Sequence, residues 1–151
     1  MRKGLLTLAL IVSGVEIAPG PVAAQATLSL YDCAASALAL RNVQRRTMGA
    51  AGADQVAESN RRMVVLLYAA AEAEGCQGDF GTMLDQVNTA LPVAQSRFAG
   101  NAANIGLVEA FDRLHDTVDA CEATVAPQDL GRLTAMVAHG EVICGWVNPD
   151  G

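Results

Sequence analysis

Leu107, Phe111, Leu114, Val118, Cys121 and Val125 follow one another at intervals of 4, 3, 4, 3 and 4 residues. Such intervals keep side chains on one face of an α-helix. Phe80, Leu84, Val87, Leu91, Ala94 and Phe98 repeat the same steps. Pro92 lies inside this second run. Proline removes a backbone donor and crowds the preceding turn, yet the apolar phase is unchanged across it. The pattern therefore predicts one helix kinked at Pro92, capped by Asp79 and ended by Gly100 and Asn101.

Three further segments carry a helical period. Over 28–47, Leu30, Tyr31, Ala34, Ala37, Leu38 and Leu40 form a broad apolar stripe. Arg41, Arg45 and Arg46 close it, where cations complement the helix dipole. Gly49, Ala50, Ala51 and Gly52 read as a flexible connector. Asp54 is a natural N-cap for a helix reaching Glu74, with Val56, Ser59, Met63, Leu66, Ala70 and Ala73 on its apolar side. Glu58 and Arg62 are spaced for an i,i+4 ion pair on the outside. Gly75 fits the left-handed residue that often follows a helix. The last helix opens at Pro127 and carries Leu130, Leu133, Val137 and Cys144 in phase. Gly140 and Glu141 interrupt its stripe, and Gly145 could cap it. Trp146 and Val147 are expected to fold back, leaving 148–151 as a tail. No run alternates as a half-buried strand would. The expected fold is all-α, an antiparallel bundle of about five helices.

The beginning of the chain has a different pattern. Arg2 and Lys3 precede an uncharged, mainly apolar run from Leu5 to Val15, which Glu16, Pro19 and Pro21 end. Val22-Ala23-Ala24 and Ala24-Gln25-Ala26 offer small-residue cleavage sites. This is the order of a secretory signal peptide. The apolar run is well short of the roughly 20 residues that a membrane span needs. We therefore expect 1–26 to be removed, by cleavage after Ala24 or Ala26, leaving one domain over 27–151. A periplasmic or extracellular location follows, with no stable membrane insertion after cleavage.

Export changes the reading of the cysteines. Cys33, Cys76, Cys121 and Cys144 all follow the signal segment and are even in number. In an oxidising compartment they read as two disulfides. No two form a C-x-x-C motif, so the spacing supports neither a redox pair nor a zinc ribbon. In an antiparallel hairpin the start of the first helix meets the end of the second, which favours Cys33–Cys76. That leaves Cys121–Cys144. A straight last helix would hold these two about 24 Å apart, so this bridge requires a reversal at Gly140.

The chain has a formal net charge of −6. The signal segment contains Arg2, Lys3 and Glu16, so its removal makes the remainder more acidic by one unit and takes away the only lysine. Nucleic acid is a poor partner for such a domain, because its affinity comes largely from phosphate neutralisation. Solubility is the simplest reading of this charge; the expected partner is another protein, and a basic one would be steered to it by the opposite field.

His115 is the most suggestive polar residue. Asp112 and Asp119 lie three before and four after it, so all three share a helix face. They could supply part of a divalent metal site, although one i,i+3 Asp/His pair is only a fragment of a di-iron motif. His139 and Glu141 lie beside Gly140 and read as a helix end. Met48, Met63, Met83 and Met136 read as core or its border. Arg41, Arg45, Arg46, Arg61 and Arg62 could gather to receive an acidic ligand, but helix-end complement and pairing with Asp54 and Glu58 explain them more simply. No phosphate loop, nucleophile elbow or dinucleotide fingerprint occurs. The expected function is non-catalytic protein binding, of an inhibitor or immunity type. The alternatives are a metal or small-ligand carrier centred on His115 and a small enzyme.

Overall fold

The computed structural model describes residues 28–146. The expected signal peptide, Val147 with its expected fold-back, and the tail 148–151 lie outside these residues. All regular secondary structure among the described residues is helical: α1 (Leu30–Met48), a 3-10 turn (Gly49–Gly52), α2 (Ala53–Ala73), α3 (Phe80–Ile105), α4 (Leu107–Glu122) and α5 (Pro127–Ala138).

Local chemistry accounts for most boundaries. Ser29 caps α1: its hydroxyl accepts from Asp32 N, and the Asp32 carboxylate accepts from Ser29 N. This reciprocal arrangement satisfies two donors that a helix start leaves open. Asp79 caps α3 by accepting from Thr82 N at 2.7 Å. Its carboxyl is held below the usual range, chiefly by that backbone N–H. Pro127 opens α5, where its missing N–H costs nothing. Two helices end alike. After α2, Cys76 N donates to Ala71 O and Gly75 N to Glu72 O; after α5, Glu141 N donates to Met136 O and Gly140 N to Val137 O. Gly75 and Gly140 both have φ +69°, the conformation that this double-bonded ending requires.

Several expected boundaries shift. Gly49 to Gly52 is a 3-10 turn rather than a flexible connector. Its last residue, Gly52, is buried, and a Cβ there would lie 2.5 Å from the Met48 Cβ. Gly52, not Asp54, is the N-cap of α2. Helix α3 contains Pro92 and runs through Gly100 and Asn101 to Ile105. Gly106, at φ +92°, makes the break and leads directly into α4. Gly140 ends the last helix, so Gly145 caps nothing.

Helices α1 and α2 form the centre. Residues 33–40 of α1 and 65–71 of α2 are buried on every side, as expected of helices enclosed by others. Ala34, Ala35, Ala37 and Ala39 have no exposed surface, and their small side chains let neighbouring backbones come close. Leu40, Leu66 and Leu67 are also fully covered, each worth about 2 kcal/mol of transfer free energy. The pair is antiparallel: Gln44 meets Ser59, and Arg41 donates to Asn60 at 3.0 Å. Leu114, Val118 and Cys121 of α4, Met83 and Val87 of α3, and Leu133 of α5 close the core. Met63 and Met83 are core residues, as expected, whereas Met48 is exposed.

All four cysteines are bridged, but in another of the three possible arrangements. Cys33 bonds Cys121, with Cα atoms 5.7 Å apart, and Cys76 bonds Cys144, with Cα atoms 5.5 Å apart. The pairings Cys33–Cys76 and Cys121–Cys144 are thus corrected. Cys33 lies on a turn of α1 that faces α4, and α4 runs past α1 so that its last turn meets the first turn of α1. Cys76 lies beyond the end of α2, turned away by the left-handed Gly75. The chain after Gly140 crosses that connector and brings Cys144 to it. Trp146 does fold back: its Nε1 donates to Gly78 O at 2.9 Å, and its ring meets Tyr68 and Phe80 edge to face.

Candidate functional site

Where α1, the first half of α2 and α4 meet, a cleft of about 230 Å³ is lined by Gln44, Asp54, Gln55, Glu58, Ser59, Arg62 and His115. Each side chain arrives there by helical phase. Ser59 falls on the apolar stripe of α2, so its hydroxyl enters the core and donates to Gln44 Oε1 at 2.6 Å. Both residues are 2 % exposed. Such a pair is tolerable only because each satisfies the other.

Arg62 lies three residues beyond Ser59 and also points inward. It is 8 % exposed. Its Nε and Nη2 donate to the two Glu122 oxygens at 2.9 and 2.8 Å, and Nη2 also meets Asp119. Burial works against its charge, and the bonds to Glu122 and Asp119 outweigh it, so its pKa rises. The expected Glu58–Arg62 pair is therefore corrected. Glu58 instead pairs with Arg61, whose hydrogen bond holds its carboxyl below the usual range. Arg62 is drawn to α4 because its place on α2 faces that helix.

The remaining arginines do not form an anion cradle. Arg41 donates to Asn42 and Asn60, and burial, then repulsion from Arg45, lowers its pKa. Arg45 and Arg46 are exposed in the last turn of α1.

His115 is half-buried, its ring 5.8 Å from that of Phe111 and tilted by 31°. Asp112 is exposed on the same helix. Asp119 is turned to Arg62, which separates it from His115 in function although the helix places both on one side. Among the described residues no group of three His, Cys, Asp and Glu side chains is gathered to hold a metal ion. His139 is the exposed C-cap residue of α5, as its setting beside Gly140 suggested.

Sequence reading did not single out Gln44 or Gln55. Ser59, a serine placed on an apolar stripe, was the available signal. Gln44 follows Val43 with nothing local to mark it as buried.

A second groove of about 330 Å³ lies at the opposite end, between Leu30, the end of α2 and the α4–α5 connection. Its lining is largely apolar, with Glu72 and Asp129 at its edge. Both carboxylates are engaged by Arg132. No helix among the described residues is long and apolar enough to cross a membrane.

The fold and cleft define a disulfide-linked, all-helical protein. No protein-family model matches the chain, and neither a curated protein nor a solved structure matches it.

Proposed function

We propose that this is an exported, non-catalytic helical protein that binds a basic protein partner by contact, as inhibitors and immunity-type proteins do. The cleft beside α4 carries this reading. Asp54 and Glu58 line it, and Asp112 and Asp119 project from α4 on the side of His115. Arg61 pairs with Glu58, and Arg62 with Glu122 and Asp119; the four carboxylates of Asp54, Glu58, Asp119 and Glu122 still outnumber these two arginines, so the local charge is negative and suits a cationic group. Leu107 and Val108, 50 % and 77 % exposed, add apolar surface at the start of α4, where α3 turns into it, and apolar contact beside polar groups is common in contact surfaces.

Export rests on the pattern of 1–26 and is compatible with two disulfides. Mass analysis of protein recovered from an export-competent cell tests it, with loss of 24 or 26 residues expected. Partner binding is tested by affinity capture from the corresponding exported fraction under oxidising conditions. Wild type and the Asp54→Asn/Glu58→Gln variant are compared. A basic protein retained by wild type, released by moderate salt and lost with the variant is the expected result. Equal retention by both would refute this site.

A second reading is a small-ligand or divalent-metal carrier centred on His115 with Asp112 and Asp119, favoured by the presence of His115 in the cleft; it requires Asp119 to leave Arg62 and turn to His115. Metal analysis and thermal shift with zinc, copper and iron test it.

A further inference from the structure

Among the described residues only two non-glycine residues have positive φ, Cys76 at +57° and Cys144 at +60°. They are the two ends of one disulfide. Each also adjoins a left-handed glycine, Gly75 at +69° and Gly145 at +68°. Left-handed backbone is unfavourable for a residue with a Cβ, and such conformations persist where the surrounding structure imposes them. Here both ends of a single covalent bond are held this way.

The two disulfides also differ in access. Cys33 and Cys121 are 2 % and 3 % exposed, inside the core between α1 and α4. Cys76 is exposed, and Cys144 is half-buried. A thiolate can reach Cys76 directly, whereas the buried bond is shielded. Thiol–disulfide exchange depends on that access.

The bond also has something to release. Residues 139–146 form a strap that crosses the α2–α3 connector. Ile143 and Trp146 are its buried contacts. Tyr68 donates to Glu141 O at 3.2 Å, and Trp146 donates to Gly78 O. Beneath Trp146 lie the rings of Tyr68 and Phe80.

We propose that Cys76–Cys144 is a dithiol-sensitive latch, distinct from the structural Cys33–Cys121 bond, and that its reduction frees the 139–146 strap and uncovers Tyr68 and Phe80. A thiolate of a dithiol reductant attacks Sγ of Cys76. The Cys76–Cys144 bond breaks, and Cys144 leaves as a thiolate that takes up a proton. The second thiol of the reductant then attacks its own sulfur in the mixed disulfide, closes the reductant's disulfide and releases Cys76 as a thiol. Two electrons and two protons pass to the protein. Backbone relaxation at Cys76 and Cys144 then favours the open strap.

The oxidised, full-length exported protein tests this directly with graded dithiothreitol, alkylation and peptide mass analysis. Cys76 and Cys144 should become alkylated at least about tenfold faster than Cys33 and Cys121. In parallel, the emission of Trp146, the only tryptophan, should move to longer wavelength and become more accessible to iodide, while the far-ultraviolet helical signal is kept. Equal reduction of the two bonds, or earlier loss of Cys33–Cys121, overturns the proposal. So does alkylation of Cys76 and Cys144 with the Trp146 emission unchanged. The Cys76→Ser/Cys144→Ser variant should fold with the emission of the reduced form. If it fails to fold, the bond is a folding element and the latch is refuted.

Discussion

Arg62 on α2 holds Glu122 on α4 by two hydrogen bonds, Nε to Oε2 at 2.9 Å and Nη2 to Oε1 at 2.8 Å. The two residues are 60 apart in sequence, and the contact fixes how α4 lies across the central pair. Hydrogen bonds to a charged group contribute more than neutral ones, and an arginine buried without its acceptor is costly. Glu122→Gln should lower stability by about 2 kcal/mol. Arg62→Met should cost about half as much, because the aliphatic stem is replaced in kind and both freed carboxylates can reach water. Urea unfolding checks the order of the two through the midpoint at unchanged slope.

The Gln44–Ser59 bond is a second buried polar contact, and its removal should be asymmetric. Ser59→Ala leaves the Gln44 oxygen without its donor and should cost about 1–3 kcal/mol. Adding Gln44→Leu should restore part of that loss. A double-mutant cycle measures the coupling; additive effects would show that the pair contributes nothing as a unit.

Tyr31 links pH to stability. Burial, with the nearby Glu74 carboxylate adding to it, raises the phenol to about 12. Its hydroxyl donates to Met83 Sδ at 3.1 Å. An unfolded tyrosine titrates near 10. The folded state therefore favours the neutral form. This contribution is fully present below about pH 10 and is lost as pH rises towards about 12. Absorbance near 295 nm should show ionisation displaced upward from that of the urea-unfolded chain. Tyr68 is displaced in the same direction by burial, and Tyr31→Phe should isolate its signal.

Glycines at different places should respond in opposite directions. Gly100 and Gly131 are helical, and a Cβ on either would meet nothing within 4 Å. Gly100→Ala and Gly131→Ala should each stabilise by about 0.5–1 kcal/mol by reducing unfolded-chain freedom. Gly52→Ala should destabilise by about 1–3 kcal/mol, since its Cβ would press on Met48. Thermal melts of the three variants give the signs.

Non-reducing peptide analysis should yield the linked pairs Cys33–Cys121 and Cys76–Cys144. The first closes a span of 88 residues, so Cys33→Ala/Cys121→Ala should cost about 4–5 kcal/mol through the unfolded chain. Recovery of Cys33 linked to Cys76 would contradict the approach of α1 and α4 described above.

The helices and most of their ends were legible because their signals are local. The steps along α4, the carboxylate of Asp79, the ring of Pro127 and the glycine after α2 act within one or two turns of their own position. The cleft was legible only in part. His115 stood out by its chemistry and does line the cleft, but its expected companion Asp119 serves Arg62 on another helix. Gln44 carried no local mark, because its burial depends on which neighbours cover α1.

By itself the sequence determined an all-helical chain with four cysteines available to bridge, since period, caps and breakers depend on neighbours a few residues away. Tertiary structure alone decided which cysteines meet, that Arg62 faces α4 instead of Glu58, and that α1 is enclosed on every side. Each of these depends on how helices far apart in the chain approach and cross. That approach is set by packing many small side chains at once, and no single stretch of sequence contains it.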